Sequence, residues 1–166
     1  MKIALKDGSV KEYAGEMSVI DIAKDISEGL ARMACAGCVD GEVVDLRTVI
    51  SKDCELSILT LQDDMGKRAY RHTASHVLAQ AVKRLYPQAK FWVGPVVSEG
   101  FYYDIDLGDD VIKDEDLAKI EKEMKKIVAE NIPLTKYTLP RAEAIAKMKE
   151  AGEPYKVELI EDLPED

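Results

Sequence analysis

The sequence predicts an α+β fold in two units, and three observations predict it. Residues 1 to 61 run strand, strand, helix, strand, strand, with turn signals at Asp7-Gly8 and Asp40-Gly41. From Lys67 onward, helical periodicities flank a hairpin pattern, which predicts helices packed on an antiparallel sheet. Between the two lies Gln62-Asp63-Asp64-Met65-Gly66-Lys67, polar and without periodicity, which predicts a linker at 62–67. A chain of 166 residues accommodates one domain or two small ones.

In the first unit, Ile3, Leu5, Val10 and Tyr13 surround the Asp7-Gly8 turn. Ser18 followed by Asp21 resembles a helix start with a capping acid. Val19, Ile22, Ala23, Ile26 and Leu30 then form one apolar face, with Gly29 weakening the last turn. Residues 34 to 46 predict a second hairpin, and Glu55 to Leu61 a closing strand. That order is the order of a β-grasp, ubiquitin-like module. The segment has no histidine, no phosphate-cradling glycine loop and no paired acids on an expected cleft. It reads as a binding or spacing module.

The second unit opens on Arg71-His72-Thr73-Ala74-Ser75-His76-Val77-Leu78, which holds both histidines of the chain. Tyr70, Ala74, Val77, Leu78, Ala81, Val82 and Leu85 form one stripe of a helix over Lys67 to Pro87, which Pro87 ends. At helical spacing His72 and His76 project together from the opposite side, with small Ala69 and Ala79 beside them. A solvated pair and a functional pair are both compatible with this spacing. The pattern lacks the Glu of an HExxH zinc-protease helix, because Thr73 stands there.

Charge localises something at the same place. The 34 residues from Met65 to Ser98 contain no acid and six basic residues, Lys67, Arg68, Arg71, Lys83, Arg84 and Lys90. The remaining 132 residues carry 17 basic and 32 acidic side chains, within a total net charge of −9. A basic helix on an acidic protein suits phosphate contacts that orient a nucleic acid more than they bind it tightly.

Further on, Phe91 to Val97 and Gly100 to Asp106 predict a hairpin turning at Ser98-Glu99-Gly100. Gly94-Pro95 predicts a bulge or a backbone kept clear for a ligand. Alternation sends Phe101 and Tyr103 to one face and Tyr102 to the other. Asp114 to Asn131 predicts an amphipathic helix with the stripe Leu117, Ile120, Met124, Ile127 and Val128. Its acids lead and its lysines follow, matching the helix dipole. Pro133 to Leu139 predicts a strand, Arg141 to Ala151 a helix capped by Gly152, and Tyr155 to Glu161 a final strand. The ending at Leu163-Pro164-Glu165-Asp166 reads as a stop inside a domain.

Three cysteines give no even disulfide framework. Cys35 and Cys38 form a CxxC on a strand rather than at a helix start, and only Cys54 is near enough in sequence to join them, so packing roles are expected. No apolar run approaches the roughly 20 residues that span a bilayer, and the start is not a signal peptide, which predicts a cytoplasmic protein.

Three motifs in order carry a family resemblance. Arg71 to Leu78 resembles the RH(S/T)xxHLL-type opening of the editing domain of bacterial threonyl-tRNA synthetases. Gly94-Pro95-Val96-Val97 with Glu99 to Asp104 is similar to its GPxxxxGFYYD segment, and Tyr155-Lys156-Val157 to its YKV segment. Residues 1 to 61 resemble the TGS domain that precedes it. The resemblance implies a TGS domain (1–61) and the first part of an editing domain (68–166) of a threonine-tRNA ligase. It implies hydrolysis of tRNA mischarged with serine, with His72, His76 and Lys156 as catalytic candidates. Tyr103, Arg68, Arg71 and Lys83 are substrate-binding candidates, and the tRNA acceptor end is the partner. In related alanyl editing domains an HxxxH pair binds zinc together with a Cys/His pair. That second pair is absent, so no metal is expected at His72 and His76. ATP, Mg and Zn belong to a synthetase domain outside this sequence, and a homodimer is expected of the full-length synthetase. The fragment alone is expected to be inactive. The competing reading is a non-catalytic TGS-containing module that binds RNA or protein.

Overall fold

The structure is a computed structural model that describes residues 1–164. The acidic ending at Glu165 and Asp166 lies outside the described residues. Two compact units result, Met1–Arg71 and the residues from His72 onward.

The first unit contains a five-stranded sheet in the order β2-β1-β7-β4-β5. β1 (Lys2–Leu5) pairs antiparallel with β2 (Val10–Glu12) and parallel with β7 (Cys54–Thr60). β4 (Ala34–Val39) pairs antiparallel with β7 and with β5 (Glu42–Val44). Two short strands that the periodicity did not announce, β3 (Met17–Ser18) and β6 (Val49–Ile50), pair with each other. Turn chemistry sets both hairpins. Asp40 and Gly41 take positive φ of 49° and 87°, as a two-residue I′ turn requires. At the first hairpin the register Ala4↔Val10 leaves Lys6-Asp7-Gly8 as a three-residue loop, one longer than expected. Gly8 at φ 84° supplies its left-handed residue.

The expected single helix over Val19 to Leu30 is two. Ser18 caps α1 (Val19–Ile26) by accepting from the Asp21 amide. Ser27 then leaves the helical region at φ −169° and caps α2 (Glu28–Met33) by accepting from Gly29 and Leu30. A side chain that satisfies two amide donors competes with continuing the helix, and here it wins. Gly29 therefore starts a helix instead of ending one. Ile3, Val19, Ile22, Ile50 and Leu56 are buried together between sheet and helix. Cys35, Cys38 and Cys54 are half-buried free thiols, and burial pushes the Cys35 and Cys54 thiols up, away from the reactive thiolate.

α3 (Asp64–Leu85) begins three residues before the expected run, so Asp64 to Lys67 are its first turn and not a linker. Asp63 explains the start. Its carbonyl accepts from Lys67, and its carboxylate accepts from the Thr60 amide and hydroxyl at 2.9 and 3.3 Å. Gly66 is buried against β7: a Cβ there would stand 2.0 Å from the Thr60 carbonyl oxygen. A local bond network outweighed the missing apolar periodicity.

The second unit packs Ala81, Val82, Ala89, Phe91, Ile120 and Ile127 into one core, with Leu78, Tyr103 and Ile105 around it. The hairpin is present in two pieces. β8 (Lys90–Phe91) pairs with β11 (Ile105–Asp106), and β9 (Val96–Val97) with β10 (Gly100–Phe101). The ladder is interrupted at Gly94-Pro95, where proline has no amide to give. α4 (Asp114–Ala129) buries Ile120 and Ile127, but Leu117 and Val128 of the expected stripe are exposed. Arg84 bonds both oxygens of Glu130 and one of Glu123, tying the end of α3 to α4.

α5 (Arg141–Glu150) follows Pro140 and ends before Gly152 at φ 70°, as its flanking residues predict. The strand expected over Pro133 to Leu139 is irregular backbone, exposed as far as Thr138. The strand expected over Tyr155 to Glu161 is a helix, α6 (Pro154–Glu161). Pro154 at the first helical position lacks only an amide that a helix start leaves unpaired, and the Glu153 carbonyl accepts from Lys156 and Val157. Among the described residues, no helix is long and apolar enough to cross a membrane.

Candidate functional site

His72 and His76 sit one turn apart on the exposed side of α3, as their spacing predicts. Their Nε2 atoms are 3.3 Å apart and the rings meet edge to face, with centroids 4.7 Å apart. At that distance one Nε2 can donate to the other, the roles being set by the tautomers of the two rings. Partial desolvation pushes the His76 imidazole below its ordinary value, and the charges of His72 and Lys156 push it further the same way. Ser75, on the buried side of this turn, donates to the His72 carbonyl at 2.7 Å. Ala79, beside the pair in sequence, is half-buried and packs against the core.

Lys156 reaches the same place from α6. Its ammonium bonds the Trp92 carbonyl and lies 5.8 Å from the Tyr103 ring centroid. Burial pulls this ammonium below the ordinary lysine range, and Glu153 opposes that pull. Tyr103 is wedged between elements. It meets Phe91 edge to face at 5.7 Å, and a Cβ on Gly94 would stand 2.5 Å from its ring. Gly94 is thus what lets the tyrosine lie flat on the hairpin backbone. Burial raises the Tyr103 phenol, and the Glu153 charge adds to the effect. The neighbouring Tyr102 is exposed.

The structure therefore brings together four expected residues, His72, His76, Lys156 and Tyr103. Lys83 is engaged otherwise, donating to the Ala89 carbonyl at 2.7 Å and to Glu153 at 2.9 Å. Arg68 and Arg71 lie on turns of α3 that belong to the first unit, Arg68 exposed and Arg71 half-buried. Sequence reasoning missed Glu153 and Trp92. The one signal was their position, since Glu153 stands just before Pro154 and Trp92 alternates with Phe91. Among the described residues, no three His, Cys, Asp or Glu side chains come together as a metal ligand set.

A family model for the TGS domain matches residues 1–60. The threonine--tRNA ligase of Clostridioides difficile (strain 630) is 56% identical over 165 residues, covering 99% of this chain and 26% of that protein. Those of Acetivibrio thermocellus and Clostridium botulinum (strain Alaska E43 / Type E3) are each 57% identical, covering 99% and 100% of this chain and 26% and 25% of theirs. The chain thus spans about a quarter of the length of these relatives. Residues 1–60 are a TGS domain, and over its whole length the chain is similar to bacterial threonine--tRNA ligases.

Proposed function

We propose that this chain supplies part of an editing site, which hydrolyses the ester of a threonine-specific tRNA mischarged with serine. The setting is the N-terminal region of a threonine-tRNA ligase, with ATP-dependent aminoacylation carried by another domain. The observation that carries the reading is the contact between His72 and His76, 3.3 Å between Nε2 atoms, with Lys156 close enough to perturb His76.

Editing answers a physical limit. Serine lacks one methyl of threonine, and one such group is worth only about 1–3 kcal/mol in a pocket. Removing the error needs a positioned water, a proton acceptor near neutral pH and stabilisation of the developing oxyanion. A neutral His76, kept so by desolvation and neighbouring charge, is a proton acceptor at pH 7. His72 holds the other end of the same hydrogen bond and orients it. Lys156, whose charge acts on His76, is the candidate for the oxyanion or the serine hydroxyl. Tyr103 forms the floor beneath it. Arg68 and Arg71 are candidates for phosphates of the acceptor end, and tRNA is the proposed partner.

The test uses serine joined to 3′-amino-adenosine through an amide, which this chemistry does not cleave. Its binding is read on the two histidine ring signals by NMR. Saturable shifts of both rings, weakened roughly tenfold in Lys156→Met, support the reading. Binding of tRNA that leaves both rings and Lys156 indifferent favours the non-catalytic TGS module instead.

A further inference from the structure

The start of α6 is held by more than helix propensity. Glu153, 15% exposed in its side chain, accepts from Lys83 Nζ at 2.9 Å and from the Phe91 amide at 3.4 Å. Lys83 is itself fixed by the Ala89 carbonyl at 2.7 Å. The Glu153 carbonyl accepts from the Lys156 and Val157 amides at 3.1 and 3.2 Å. Two residues on, the Tyr155 hydroxyl donates to Asp106 at 2.9 Å, and its ring stacks on Trp92 with centroids 6.1 Å apart. Lys156 follows directly after these two anchors.

We infer that Glu153, clamped by Lys83 and the Phe91 amide, is a positioning residue that fixes the first turn of α6 so that Lys156 stands over Tyr103 and beside His76. The inference rests on the reading of His72, His76 and Lys156 as one site, and it gives Lys83 a part in building that site. Three elements meet in this arrangement: α3 brings Lys83, β8 brings the Phe91 amide, and the residue before α6 brings the carboxylate. An ion pair across elements is more often a modest stabiliser than a functional device. What separates this one is its place, one helical turn before the lysine whose charge His76 feels.

The charged groups that act on His76 are His72 on α3 and Lys156 on α6, and Lys156 in turn feels Glu153 and lies over the Tyr103 ring. They make a test in which the sign decides. The two histidine rings are titrated by NMR in the chain and in Lys156→Met, Glu153→Ala, Glu153→Gln and the double variant Glu153→Ala/Lys156→Met. Removing the Lys156 charge raises the His76 pKa by roughly 0.3–0.5 pH unit. If Glu153 acts by holding Lys156, Glu153→Ala raises it too, and the double variant goes no further than Lys156→Met. If Glu153 acts merely as a nearby charge, losing it lowers the His76 pKa, because an anion favours the protonated ring. A fall, or no change, in Glu153→Ala while Lys156→Met raises the value overturns the positioning role and leaves the editing site standing. No change in Lys156→Met overturns both. Glu153→Gln keeps the shape of the anchor but not its charge, so on the positioning account its His76 pKa stays nearer the parent value than that of Glu153→Ala. If the alanine variant does not fold, Glu153→Asp, which keeps the charge and shortens the reach, raises the value, and an unchanged value there overturns the positioning role.

Discussion

At the scale of single residues, the site depends on which protonation states the packing allows. His76 has a pKa lowered from its ordinary value near 6.5 by desolvation first and by His72 and Lys156 after it. The sign follows. Between the lowered folded value and 6.5 the unfolded chain binds more protons, so stability rises with pH through that window and falls as the solution is acidified through it. His76→Gln flattens the change in urea midpoint between pH 7 and 5.5, and a midpoint that still moves as in the parent chain refutes the assignment. Two glycines make equally sharp demands. Gly66→Ala drives a methyl into the Thr60 backbone, where no flexible side chain yields, and costs about 3 kcal/mol in urea unfolding. Gly94→Ala displaces the Tyr103 ring from the hairpin, weakening binding of the seryl amide analogue while leaving the first unit's amide spectrum unchanged. The histidine pair was legible from spacing alone. Glu153 was not, because an exposed-looking acid in a Gly-Glu-Pro sequence gives no sign that Lys83, 70 residues away, will pair with it.

At the scale of elements, errors came where local bonds outweighed periodicity. Tyr155, Val157 and Leu159 alternate well enough for a strand, yet Pro154 and the Glu153 carbonyl start a helix there. The same apolar residues serve both periods over so short a stretch, and the proline before them was the better guide. Ser27 divided an apolar face that looked continuous, and Asp63 with Gly66 drew α3 back into a stretch that looked like a linker. Longer patterns were read correctly: the charge order of α4 and the glycine after α5 predicted both helices. Val157 is the residue α6 buries, so Val157→Ala costs about 1–2 kcal/mol in unfolding free energy. Hydrogen exchange from Glu158 to Ile160 then quickens with it. Protection that persists in this variant shows that α6 is held by its anchors rather than by this side chain.

At the scale of the whole molecule, the charge distribution limits how strongly it can hold RNA. The net charge of −9 opposes binding, while the acid-free stretch around the histidines offers a few cations, of which Arg84 and Lys83 are already committed to Glu130 and Glu153. Two or three phosphate contacts give a slope of about −2 to −3 in a plot of log affinity against log salt for an acceptor-stem duplex. Arg68→Ala lowers that slope by about 1 if Arg68 touches a phosphate, and leaves it unchanged if not. The β-grasp order of the first unit was legible because turn residues and alternation agree at both hairpins. The second unit's α+β class was legible too, but the pairing of Glu153 with Lys83, 70 residues away, was not.

The central claim is that His72 and His76 belong to an ester-hydrolysing site. The most direct measurement replaces the matching quarter of the Clostridioides difficile relative with this chain and follows deacylation of threonine-specific tRNA charged with serine. The account predicts little hydrolysis by the 166-residue chain alone. It predicts hydrolysis by the chimera that falls about 100-fold or more in His72→Ala, the scale of a lost proton-transfer group, with the fold retained. A chimera that deacylates equally well with and without His72 contradicts it.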